Sequence, residues 1–213
     1  MSTTASEPTL AGPHAMREKI LFVDDEPAVL QGYQRLFHNE FEVQTAVGGK
    51  RGLTMLNTAG PFAVVVSDMR MPEMNGVEFL SHVRKTWPDS VRIVLTGQAD
   101  LDAAMAAVNQ GNIFRFLTKP CDREMLGKTL TAGVLQYRLV VAERELLEKT
   151  LKGTIQVLSE VLSLANPAAF GRATRLRRYM SHLVAELGLS KPWRFEVAAL
   201  MSQLGCVAVA PET

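Results

Sequence analysis

From about residue 19 to residue 121 the chain alternates compact apolar runs with amphipathic stretches. Residues 19–23, 41–46, 62–67, 91–95 and 113–117 are short runs rich in β-branched and aromatic side chains, the length of a buried strand. Between them apolar residues recur every three or four positions. Val29, Leu30, Tyr33, Leu36 and Phe37 form one such face; Leu53 and Leu56 a second; Val77, Leu80 and Val83 a third; Leu101, Ala104, Met105 and Val108 a fourth. That spacing predicts helices. Pro27 suits the first turn of a helix, while Trp87-Pro88 and Gly111 close helices. Five β–α units in strict alternation, the last opening a helix near Asp122, predict a doubly wound α/β fold: a five-stranded parallel sheet with helices on both faces.

The pattern changes after Asp122. Up to Asn166 there is no proline, and the only glycines are Gly127, Gly133 and Gly153. Leu126, Leu130, Tyr137, Val140, Leu147, Leu151, Leu158 and Val161 follow alternating steps of four and three, a coiled-coil seam interrupted at Gly133, Arg144 and Thr154. This predicts one long helix that pairs with its twin in a homodimer through residues 122–165. Beyond it the chain is helical and Ala/Leu-rich, broken at Asn166-Pro167 and at Gly188. The expected organisation is a tail (1–17), an α/β domain (18–138), a coiled-coil-like helix (139–165) and an all-α piece (166–213).

Composition narrows the setting. Hydrophobic residues make up 47 % of the 213, and the formal net charge is +1. Neither figure points to nucleic acid or to a strongly charged surface. The cluster Arg172, Arg175, Arg177 and Arg178 reads as a solvated face rather than a DNA-contacting helix. Cys121 and Cys206 make no metal spacing and no disulfide framework, which sets the cytoplasm as the expected location. Residues 1–16 lack the apolar core of a signal peptide, and no apolar run is long enough to span a bilayer.

The candidate chemistry lies at the strand ends. The first strand ends in Asp24 and Asp25, the third in Asp68, the fourth in Thr96, and Lys119 follows the fifth. A parallel sheet brings these ends to one edge. Three carboxylates crowded together raise one another's proton affinity unless a cation intervenes. Lys119 supplies one positive charge, and Mg²⁺ held by a few carboxylates and water suits the second. The arrangement predicts a phosphoryl-acceptor site, with Asp68 as nucleophile, Lys119 and the metal neutralising the group, and the Thr96 hydroxyl bonding one of its oxygens.

These residues carry a resemblance. Asp24-Asp25, Asp68 with Met71-Pro72 and Gly76, Thr96-Gly97, and Lys119-Pro120 make residues 19 to about 138 similar to a response-regulator receiver domain of two-component signalling. The resemblance implies a flavodoxin-like sheet of order 2-1-3-4-5 and a sensor histidine kinase as phosphoryl donor to Asp68. It implies direct Mg²⁺ ligation by Asp25 and Asp68, action of Asp24 through water, and the Arg70 carbonyl as a further ligand. It also places Phe116 at the family's switch-aromatic position. Arg70 and Gln98 would tune how long the phosphoryl group survives.

A second resemblance covers the C-terminal piece. Asn166-Pro167-Ala168-Ala169-Phe170-Gly171-Arg172 and Ala198-Ala199-Leu200-Met201-Ser202-Gln203-Leu204-Gly205-Cys206 look like the opening of an HD-type, HD-GYP-like phosphohydrolase domain. Active members hold a metal pair with a His-Asp where Ser202-Gln203 stands, a histidine at Arg172 and a lysine at Cys206. Ser and Gln are poor ligands, and Arg172 repels a cation. His14, His38, His82 and His182 do not rebuild the site, and Thr213 is reached before any GYP segment. The expectation is a phosphorylation-dependent response regulator with a degenerate, truncated, non-enzymatic HD-like output acting on a downstream protein. The alternatives are an active cyclic di-GMP phosphodiesterase and a DNA-binding transcriptional regulator.

Overall fold

A computed structural model describes residues 17–97, 113–189 and 192–202. The chain divides into two compact units, Met1–Val141 and Ala142–Thr213.

In the first unit, β1 (Lys19–Asp24), β2 (Glu42–Val47), β3 (Val64–Asp68), β4 (Val91–Gly97) and β5 (Arg115–Lys119) form one sheet. All the pairings are parallel and the strand order is 2-1-3-4-5. The helices α1 (Pro27–Phe37), α2 (Gly49–Ala59) and α3 (Gly76–Thr86) connect the strands. The expected helix around Leu101–Val108 lies outside the described residues. After β5 comes α4, a single helix of 43 residues, Arg123–Ala165.

Alternation along each strand makes two cores. Ile20, Phe22, Val64, Val66, Ile93 and Leu95 point to one face, where they meet Leu30 and Phe37 of α1 and Leu126, Leu130 and Val134 of α4. Leu21, Val23, Val65 and Val94 point to the other, against Leu56 of α2 and Phe79, Leu80 and Val83 of α3. β3 is buried along its whole length because both faces are covered. Phe22 stacks on Tyr33 with ring centroids 4.7 Å apart. Helix α3 starts where its sequence dictates: the Asn75 side chain accepts from the Glu78 N–H at 2.9 Å, and the Glu78 carboxylate accepts from the Asn75 N–H.

The long helix corrects part of the seam expected from the sequence. Leu126 and Leu130 are fully buried against the sheet and Tyr137 packs on the same core, so these positions are unavailable to a second chain. Their spacing reflects packing on the protein's own strands. Gly133, expected as an interruption, has a physical reason here. A Cβ at that position would lie 3.1 Å from a methyl group of Val64, so glycine lets the helix approach β3 closely.

The second unit takes the distal part of α4, α5 (Pro167–Glu186) and α6 (Pro192–Met201), with α5 and α6 packed against each other. Asn166 caps α5, its side chain accepting from the Ala169 N–H at 3.0 Å, and Pro167 occupies the first turn. Among the described residues, no helix is long and apolar enough to cross a membrane.

Candidate functional site

The carboxyl ends of β1, β3, β4 and β5 meet at one edge of the sheet. Register fixes this: Asp24 ends β1 two residues past the Phe22–Val66 pairing, Asp68 lies beside Leu95, and Gly97 lies beside Lys119. The Lys119 ammonium reaches across to two strands. It donates to Asp24 Oδ2 at 2.8 Å and makes a second, short contact with Asp68 Oδ1. Both acids are nearly closed off from solvent, at 2 % exposure for Asp24 and 8 % for Asp68.

Backbone amides hold the remaining carboxylate oxygens. Asp24 Oδ1 accepts from the Glu26 N–H at 3.0 Å, and Asp68 Oδ2 accepts from the Arg70 N–H at 2.7 Å. Burial works against the charge on Lys119, but the hydrogen bonds and Coulomb attraction of Asp24 and Asp68 outweigh it. The ammonium is held above the ordinary lysine range.

The loop after Asp68 is tied down from beneath. The Gly76 N–H donates to the Met69 carbonyl at 3.0 Å. A Cβ at Gly76 would lie 2.0 Å from the Asp68 carbonyl oxygen, so only glycine lets α3 begin this close to Asp68. Glu73 has φ 65°, a left-handed conformation for a residue with a side chain, and its carboxylate pairs with Lys50 of α2 at 2.8 Å. Met74 packs where a Cβ on Gly49 would stand. This strap of Lys50, Glu73, Gly49 and Met74 was not legible in the sequence, because a left-handed glutamate has no sequence signature.

The other expected residues are placed as follows. Asp25 is half-buried directly after Asp24. Thr96 is completely buried, and its hydroxyl donates to the Gly97 carbonyl at 3.2 Å rather than to the acid–lysine cluster. Phe116 is half-buried against the core shared by α2 and α3. Arg70 follows Asp68 by two residues and contributes its amide; Gln98 lies outside the described residues. Among the described residues, no three His, Cys, Asp or Glu side chains converge as a metal-binding group. The carboxylates of Asp24 and Asp68 instead share the lysine. In the second unit Ser202 donates to the Ala199 carbonyl at 2.7 Å and Arg172 is exposed, whereas Gln203 and Cys206 lie outside the described residues. His38, directly after α1, bonds the Arg35 carbonyl, and His82 bonds the Glu78 carbonyl within α3.

Such a fold with such a strand-edge cluster defines a phosphoacceptor signalling domain. Residues 20–131 match the family described as the response regulator receiver domain, more than half of the chain, and the protein belongs to that family. It is the receiver domain of a two-component response regulator. The hydrogenase transcriptional regulatory protein HoxA of Bradyrhizobium diazoefficiens is 32 % identical over 174 residues, covering 79 % of this chain and 36 % of that protein. The transcriptional regulatory protein GlrR of Escherichia coli is 36 % identical over 126 residues, covering 59 % and 28 %. The chain therefore spans about a third of the length of these curated relatives. Among solved structures, adenylate cyclase from Rhodopirellula baltica superposes with a TM-score of 0.61 at 42 % identity, over 63 % of this chain and 99 % of that one. The receiver domain of an HD domain-containing protein from Pseudomonas fluorescens superposes with a TM-score of 0.54 at 30 % identity, over 57 % and 98 %.

Proposed function

We propose that Asp68 accepts a phosphoryl group from a sensor histidine kinase in the cytoplasm, and that the change passes along α4 to a non-catalytic output that works by protein contact. The observation that carries this reading is the lysine bridge: Lys119 of β5 holds carboxylates from β1 and β3 at one buried edge. In the transfer step an Asp68 oxygen attacks phosphorus. The phosphorus–nitrogen bond to the donor imidazole breaks, and its electron pair stays on that imidazole. Lys119, already aimed at Asp68, follows the new negative charge onto the phosphoryl oxygens. Thr96 turns its hydroxyl from the Gly97 carbonyl toward one of those oxygens, and Phe116 rotates inward behind it.

Mg²⁺ fits the chemistry of the donors. Asp24 and Asp68 bring two carboxylates against one ammonium, with Asp25 adjacent in the chain, and Mg²⁺ needs only one or two carboxylates besides water and phosphate oxygens. Asp24, Asp25, Asp68 and the Arg70 carbonyl would hold the ion, which would neutralise charge on the phosphoryl group.

For the output, the Asn166–Arg172 and Ala198–Cys206 segments support a degenerate HD-like domain over residues 166–213, as does the likeness to the receiver of an HD domain-containing protein. Ser202 in place of a ligand argues against metal-dependent hydrolysis. Leu147, Leu151, Leu158 and Val161 are exposed on α4 and support a homodimer through that part of the helix. Residues 18–138 would then be the receiver and 139–165 the connecting helix. Treatment with acetyl phosphate and Mg²⁺ should modify the wild type and not Asp68→Asn, and light scattering should detect a change in mass or shape. Modification without any such change would sink the coupling to α4. Turnover of cyclic di-GMP with Mn²⁺ or Fe²⁺ would overturn the non-catalytic output.

A further inference from the structure

Three consecutive residues at the start of α2 touch the segments that carry Asp24 and Asp68. Gly48 donates its N–H to the Asp24 carbonyl at 3.0 Å, and its φ of 80° turns the chain into the helix. Gly49 lies against Met74: a Cβ on it would stand 2.9 Å from the methionine sulfur. Lys50 pairs with Glu73 at 2.8 Å. Asp24 ends β1, whereas Glu73 and Met74 belong to the loop that leaves Asp68. The start of α2 therefore ties one acid's strand to the other acid's loop.

The tie falls on a residue that needs one. Glu73 holds φ 65° with a side chain, a conformation that persists only where the surroundings impose it. Several contacts impose it here. Met71 is buried in the core, and the Met74 N–H donates to the Pro72 carbonyl at 2.7 Å. Lys50 holds the Glu73 carboxylate from outside the loop. The same loop supplies the Arg70 N–H to Asp68 Oδ2, while Asp68 Oδ1 faces Lys119. Amide and ammonium together fix the rotation of the Asp68 carboxylate, so the setting of the loop is the setting of that carboxylate.

We propose that Lys50 is a positioning residue for phosphoryl transfer to Asp68. It acts through Glu73 and the loop, not on the reacting atoms: it keeps the Arg70 amide where it orients the carboxylate for attack. Both partners of the pair are exposed, so dissolved salt weakens this control. The inference rests on Asp68 as the phosphoacceptor and adds a residue outside the acid–lysine cluster that sets its rate.

Intact mass followed over time with acetyl phosphate and Mg²⁺ tests this on the full chain. Lys50→Gln should lower the maximal rate by about two- to fivefold, the range for one exposed ion pair. The half-saturating acetyl phosphate concentration should stay unchanged, because orientation is lost and not binding. In about 1 M salt, where the screening length is about 3 Å, the wild-type maximal rate should fall toward that of the variant. Exchanging the charges, Lys50→Glu with Glu73→Lys, should restore the rate that either change alone loses. Without any phosphoryl donor, the Arg70 amide signal in a ¹⁵N spectrum should move in Lys50→Gln. Equal maximal rates, a change in half-saturation alone, no rescue by an exchange variant with a wild-type urea melt, or an unmoved Arg70 amide would each overturn the proposal. A wild type that takes no phosphoryl group contradicts the reading of Asp68 instead, and the Arg70 amide then decides whether Lys50 sets the loop.

Discussion

At the scale of single residues, the strand-edge cluster depends on one cation shared by two acids. Asp24 and Asp68 hold the Lys119 ammonium above its ordinary value. A group whose folded pKa is raised contributes stability that is fully present below its unfolded pKa, about 10.4 for lysine. That contribution is lost only as pH rises through the folded value, above the ordinary lysine range. Unfolding stability in metal-free buffer should therefore show no loss from Lys119 deprotonation between about pH 7 and 10. A falling limb in that window that disappears in Lys119→Gln would contradict this. Gly76 makes a second residue-scale prediction. Gly76→Ala drives a methyl group into the Asp68 carbonyl, so it should destabilise the fold by about 1–3 kcal/mol in urea melts and slow acceptance at Asp68. Unchanged stability and rate would mean that the loop has room to give. The acids, the lysine and Gly76 were legible in the sequence because each sits at a strand end or helix start fixed by the hydrophobic pattern. The direction of the Thr96 hydroxyl and the Lys50–Glu73 strap were not, since both depend on loop geometry.

At the scale of elements, α4 has two tasks that its sequence does not separate. Its first turns complete the receiver core through Leu126, Leu130 and Val134. Farther along, Leu147, Leu151, Leu158 and Val161 are exposed while Ile155 and Ser159 are buried in the second unit. The continuous four–three spacing conceals this change of partner, because intramolecular packing and a coiled-coil seam leave the same periodic pattern. The two roles should respond differently to substitution. Leu130→Ala should lower receiver stability by about 2–5 kcal/mol, the range for emptying a packed leucine site, as read by denaturant unfolding. Leu151→Glu should leave that stability within about 0.5 kcal/mol and shift the chain toward monomer in sedimentation. If Leu151→Glu unfolds the receiver, or leaves the assembly untouched, the exposed stripe is not the pairing surface. The strands were easier to read than the helix, because a run buried on both faces has few alternatives in a chain of alternating units.

At the scale of the whole molecule, the receiver fold follows directly from the alternation of apolar runs and helical faces, and its sheet order agrees with the family resemblance. The second unit was less legible. Its exposed leucines are many, and the HD-like reading proposed for it rests on short segments of sequence. The proposed function consequently places chemistry in the first unit and protein contact in the second. Its central claim is tested most directly by intact-mass spectrometry of the full chain after acetyl phosphate and Mg²⁺, with Asp68→Asn measured alongside. A single phosphoryl adduct on the wild type, mapped to Asp68 and missing from the variant, is the expected outcome. An unmodified wild type, or an equal adduct on Asp68→Asn, would contradict it.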